Sequence, residues 1–334
     1  MTAEAKVRAF QEEVKKLEAE IGRRIVGHKE VVRGVLTALF AGGHVLLEGV
    51  PGLGKTLLVR TLGEVLQMQF NRIQFTPDLM PADIVGTNLV MQNPDGTRVF
   101  QFQKGPVFTQ ILLADEINRA TPKTQSAMLE AMQERRVSAG GKTHVLDTPF
   151  LVLATQNPIE MEGTYPLPEA QLDRFLVKLI VEFSSVEDLR VILDRTTDAT
   201  VTDLRHVMNA ERVIEHQNLV REVIVAPHVK DYIARLVWAT HPESDGATGL
   251  VKKYVRFGSS PRGAQAMALS SKVAALIDGR YNVGFDDVAA AAYPALRHRI
   301  LLNFEGDAEG LRTERVIEEV LEQVPRKVEE KATA

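Results

Sequence analysis

Three groups of residues have the types and spacing for phosphate chemistry. The first is Gly49, Val50, Pro51, Gly52, Leu53, Gly54, Lys55 and Thr56, which together fit G-x-x-x-x-G-K-[S/T]. Its glycines let successive backbone N–H groups curl around phosphate oxygens, and a helix opening at Lys55, with Leu57 in its first turn, adds a positive dipole end. The pattern predicts that Lys55 reaches the β- and γ-phosphates and that the Thr56 hydroxyl ligates Mg²⁺. The second group is Asp115 and Glu116, which close the apolar run Ile111–Ala114. Asp115 is placed to hold Mg²⁺ through its water shell, and Glu116 to orient and deprotonate an attacking water. The third is Asn157, whose amide could bond both a terminal phosphate and that water; as a residue before Pro158 it reads equally well as a turn former. Each signal has a plainer reading, a glycine-rich turn in one case and a solvated strand end in another. It is the order loop, then acid pair about sixty residues on, that favours an ATP site.

Those residues need a scaffold that brings strand ends to one edge. Val45–Leu47 reads as a buried strand running into the phosphate loop, with a helix to about Leu66 behind it. Arg72–Phe75, Ile111–Ala114, Phe150–Ala154 and Leu176–Val181 are further strands. Alternation with helices such as Pro122–Glu134 predicts an α/β fold, an αβα core around a central parallel sheet. Ligands of such sheets bind where the strands end. Residues 76–106 interrupt the alternation as an insertion, with Asn88–Gln92 and Thr97–Gln101 forming a hairpin around Asp95-Gly96. A second hairpin is expected from Arg135–Ala139 and Lys142–Leu146. Upstream, an amphipathic helix (3–21) and a helix from about Glu30 flank the turn Ile25-Val26-Gly27-His28. Val26 and Gly27 could cover an adenine base there, or simply fill core. Beyond Phe183 the pattern turns helical, predicting a small all-α domain over 187–334 after a nucleotide-binding domain over 1–186. Within it His241–Phe257 reads as a loop, and Ser260-Pro261 as the start of a helix carrying Arg262.

Bulk properties narrow the chemistry. The 334 residues include no cysteine, which excludes disulfides, thiolate metal sites and cysteine nucleophiles. Eight scattered histidines offer no transition-metal spacing. A net charge of −4 gives no basic field for a polyanion. No apolar run approaches a membrane span, and the N-terminus lacks the form of a signal peptide, so a cytoplasmic location is expected.

Beyond these elements, the stretches Gly43–Thr56, Ile73–Gly86, Lys104–Arg135, Gly163–Phe175, Gly258–Arg262 and Ala295–Arg299 resemble the MoxR family of AAA+ ATPases. Among them are Gln-Phe-Thr-Pro-Asp-Leu and Leu-Ala-Asp-Glu-Ile-Asn-Arg-Ala. The resemblance implies that Gly49–Thr56 is Walker A, Asp115 and Glu116 Walker B, and Asn157 sensor 1. It also implies that Arg174 is an arginine finger reaching a neighbour's site, and that Arg262 is the sensor 2 arginine, acting in its own site or a neighbour's. From composition alone, either arginine reads as an ordinary surface residue. ATP and Mg²⁺ are the implied cofactors. A hexameric ring, a client protein complex and a partner with a von Willebrand factor A domain are the implied assembly. The expected activity is ATP hydrolysis driving chaperone-like remodelling or maturation of complexes, including cofactor or metal insertion. The alternative is a ring-forming nucleic-acid motor, for which Arg135, Arg136, Lys142 and His144 supply some basic character.

Overall fold

The structure, a computed structural model, describes residues 2–50, 52–92, 94–95, 97–157, 164–197 and 203–327. Nine strands carry the part of the fold that concerns the site: β1 (Val45–Glu48), β2 (Phe70–Gln74), β3 (Gly86–Gln92), β4 (Arg98–Lys104), β5 (Ile111–Asp115), β6 (Arg136–Ala139), β7 (Lys142–Val145), β8 (Leu151–Gln156) and β9 (Val177–Ile180). Five form one sheet in the order β2-β5-β8-β1-β9. β2 with β5, β5 with β8, and β8 with β1 pair in parallel. β5 is buried along its whole length, as a strand covered on both faces must be, which explains its unbroken apolar run.

Register fixes the working edge. Gln74 lies opposite Asp115, Ala114 opposite Ala154, and Gln156 opposite Glu48. The residues that follow, Gly49, Glu116 and Asn157, therefore leave the sheet along one edge, at its carboxyl end. A core of Leu46, Phe75, Leu112, Val152 and Phe175, all fully buried or nearly so, holds the sheet against its helices. The two expected hairpins are present as the antiparallel pairs β3–β4 and β6–β7. His144 of β7 stacks on Phe102 of β4 with ring centroids 4.1 Å apart.

Contacts divide the chain into two compact units. One comprises Lys15–Phe175 and Leu179–Glu215, the other Met1–Val14, Leu176–Lys178 and His216–Ala334. The second unit is helical: Pro227–Ala239, Pro261–Ile277, Phe285–Leu296 and Thr313–Gln323 bury their apolar faces, and Phe10 packs edge-on against His216. The loop expected over His241–Phe257 is not what forms. Thr248 caps a short helix, Gly249–Tyr254, by accepting from the Val251 N–H, and Val255–Phe257 pairs antiparallel with Leu301–Leu302. Lys253, in the last turn of that helix, is held by Glu305 at 3.2 Å. Among the described residues, no helix is long and apolar enough to cross a membrane.

His44, just before β1, shows how tightly this core specifies a protonation state. Its Nε2–H donates to the Met132 carbonyl at 3.1 Å, and its Nδ1 accepts from the Val152 N–H at 3.1 Å. Both bonds require neutral imidazole, and burial pushes its pKa down to about 4. The unfolded chain takes up this proton near pH 6.5, so stability falls as pH drops from there toward 4. Between pH 7 and 5 the loss from this group should be about 2 kcal/mol. Urea unfolding at the two pH values checks it. A His44→Gln chain, less stable throughout, should lose that much less over the same span.

Candidate active site

The loop after β1 is built to meet an anion. Gly52 and Gly54 stand at φ 84° and 75°, a left-handed conformation costly for other residues. Gly54 is the N-cap of the helix Lys55–Val65, and no side chain caps that end. The first-turn N–H groups are thus left without a capping side chain. Lys55 Nζ donates to the Gly49 carbonyl at 2.6 Å, which leaves its other protons for a ligand. Burial lowers its pKa below the ordinary lysine value, while the Asp115 and Glu116 carboxylates pull the other way. Thr56 and Leu57 are exposed beside it. Pro51 lies outside the described residues.

The acid pair is held by neighbours that the sequence did not single out. Thr155 Oγ1 donates to Asp115 Oδ1 at 2.6 Å and accepts from the Glu116 N–H at 2.8 Å. Arg72 donates to Asp115 Oδ2 from Nε at 3.1 Å and from Nη2 at 2.7 Å. Glu116 sits at φ 57°, a strained conformation for a non-glycine residue, and its Oε2 accepts from Gln74 Nε2 at 2.9 Å and Arg119 Nη1 at 3.0 Å. Asn157 is buried one residue beyond the end of β8.

Beside the phosphate loop lies a cavity of about 230 Å³, and Gly52, Leu53, Gly54, Lys55 and Leu57 form one side of it. Val26 also lines it, and Gly27, the next residue, packs against Asp188. The largely apolar remainder suits a flat heteroaromatic base. Helix Val186–Thr197 completes it with Leu189 and Ile192, and Arg195 fastens that helix by donating to the carbonyls of Gly22 and Arg23 at 3.0 and 2.8 Å. Sequence reasoning missed these residues; their one signal was the i, i+3 apolar spacing of Leu189 and Ile192.

The residues read from the sequence do not all converge. Lys55, Asp115, Glu116 and Asn157 share the sheet edge with Thr56. Arg174 lines a separate open groove of about 660 Å³ with Glu130, Arg136 and Gln171, and its Nε is buried without a hydrogen-bond partner. Arg262 belongs to the helical unit, where its N–H donates to Ser260 Oγ at 3.1 Å.

With this geometry in view, comparison with known proteins is decisive. A family profile described as "ATPase family associated with various cellular activities (AAA)" matches residues 44–177, and an AAA lid domain profile matches residues 248–320. Chaperone MoxR1 of Mycobacterium tuberculosis is 44% identical over 305 residues, covering 91% of this chain and 80% of that protein. The chain belongs to the MoxR family of AAA+ ATPases. Protein MoxR of Methylorubrum extorquens is 30% identical, over 86% of this chain and 87% of that one. A crystal structure of a protein assigned as an ATPase, from Cytophaga hutchinsonii, superposes with a TM-score of 0.90 at 41% identity and 97% coverage of both chains. Family membership makes this MoxR relative a nucleotide-binding ATPase, with an AAA+ core around a parallel sheet and a helical lid.

Proposed function

We propose that this MoxR relative hydrolyses Mg²⁺·ATP in a hexameric ring and uses the motion to remodel or mature protein complexes, with a von Willebrand factor A domain protein as partner, in the cytoplasm. In this reading the uncapped helix end and Lys55 hold the phosphates, and Thr56 holds Mg²⁺ directly. Asp115 holds it through water. The cation, when bound, neutralises phosphate charge as the terminal group leaves. Glu116 takes the proton of the attacking water, and the Asn157 amide orients that water against the phosphate. Arg174 supplies positive charge to a neighbouring subunit's ATP, and Arg262 links phosphate state to the lid. Cofactor or metal insertion is one form that the maturation takes.

One observation carries the choice of a protein client over a nucleic acid. The β3–β4 hairpin exposes Val90 and Phe100, the latter 78% exposed, a surface suited to apolar polypeptide. Three of the four basic groups of the second hairpin are meanwhile engaged locally. Arg136 pairs with Glu134, Arg135 donates to the Gly42 carbonyl, and His144 stacks on Phe102. The name of the Mycobacterium tuberculosis relative, a chaperone, points the same way. The test is capture by Glu116→Gln protein in ATP and in ADP. A protein complex retained in ATP and released in ADP is expected, with no change in turnover when DNA is added. Salt-sensitive stimulation by DNA would instead favour the motor.

A further inference from the structure

Arg72 belongs to no phosphate-binding pattern, yet it makes the closest charged contact of Asp115. It stands two residues before Gln74 on β2, on the same face of the strand, and register brings that face against the end of β5. Its fork closes on one carboxylate oxygen, Oδ2, while Thr155 closes on the other. Both oxygens of Asp115 are therefore occupied by donors of the chain itself, one of them carrying a full positive charge. The Asp115 side chain is only 13% exposed, whereas that of Arg72 is 45% exposed and has solvent into which it can swing. The same guanidinium donates to Gln74 Oε1 at 2.5 Å, and Gln74 in turn bonds Glu116, so the two acids are joined through one arginine.

We propose that Arg72 is a built-in counter-ion of Asp115 that a divalent cation must displace, so that it sets how strongly nucleotide binding depends on the cation. This rests on the reading of Asp115 as the acid that faces the cation. A buried carboxylate with no partner is costly, and the arginine removes that cost when the loop holds nucleotide alone. A guanidinium and a hydrated dication cannot share the same lone pairs, and like charges repel at this separation. Arg72 is thus a positioning residue: it acts through Asp115, which it holds by two hydrogen bonds.

The experiment compares affinity for a fluorescent ADP derivative in Mg²⁺ and in EDTA, for the full chain and its variants. Arg72→Gln should raise the Mg²⁺-to-EDTA affinity ratio about tenfold, the effect of losing one competing charge-assisted bond at a half-exposed position. The rise should come from tighter binding in Mg²⁺, which neither a general structural defect nor an uncompensated carboxylate would produce. Asp115→Asn should bring the ratio close to one. If Asp115→Asn does so while Arg72→Gln leaves the ratio unchanged or lower, Arg72 is not a competitor, and the role of Asp115 stands without it. If Asp115→Asn keeps the parent ratio, Asp115 does not face the cation and both readings fall together. Should Arg72→Gln not fold, Arg72→Lys takes its place, which keeps charge but loses the fork. A rise of about threefold is then expected, and no rise overturns the proposal.

Discussion

Glu116→Gln should lower ATP turnover by about 10²- to 10⁴-fold and leave nucleotide affinity within about twofold of the parent. The substitution preserves shape and leaves a carbonyl oxygen able to accept from Gln74 and Arg119, as Oε2 does now. Only the ability to take a proton is removed. The neighbouring Asp115 cannot replace it, because in the proposed role its carboxylate faces the cation, while Thr155 holds its other oxygen. Single-turnover hydrolysis and equilibrium binding separate the two effects. A variant that turned over ATP like the parent would remove Glu116 from the chemistry, whatever its affinity.

Arg174→Ala should have an effect at least as large, about 10³- to 10⁵-fold on turnover, with binding again unchanged. The physical ground is placement. Arg174 lines a groove with Glu130 and Gln171, and neither the phosphate loop nor the acid pair contributes to that groove. The groove is open, so a phosphate oxygen brought by another subunit has access to the residues that line it. Arg174→Lys should recover little, since an ammonium lacks the planar fork. Turnover per subunit should also rise with protein concentration, because in the proposed ring each site is incomplete until a second chain meets it.

How far these roles were legible in the sequence depended on range. The phosphate loop is a local device: its glycines, lysine and hydroxyl lie within eight residues, and the backbone angles at Gly52 and Gly54 follow directly from those residue types. The acid pair was legible because a strand buried on both faces must end somewhere, and its polar end marks the sheet edge. What holds the pair was not. Gln74 reaches Glu116, and Arg72 reaches Asp115, only because β2 and β5 pair in one particular register; slipping it by one residue would turn both side chains away. Thr155 follows the apolar run Phe150–Ala154, and nothing in the sequence hints that it joins Asp115 to the Glu116 backbone. The cavity beside the loop shows the same division. Val26 lay close enough to the loop to be suspected, while Leu189, Ile192 and Arg195 arrive from a helix more than a hundred residues away. The loop expected over His241–Phe257 failed for a related reason. Gly249 and the adjoining lysines concealed a six-residue helix whose cap is Thr248, and the strand after it pairs with Leu301–Leu302, some fifty residues distant.

In the proposed ring one ATP is served by two chains: loop, lysine and acids from the first, Arg174 from the second. Mixing Arg174→Ala protein with Lys55→Ala protein tests it most directly, because each is expected to be inactive alone for a different reason. A mixed assembly places an intact Arg174 against an intact phosphate loop, so turnover should reappear and peak near equal proportions. If no mixture exceeds the two proteins measured separately, although both fold and co-assemble, the site is not shared and the account is wrong.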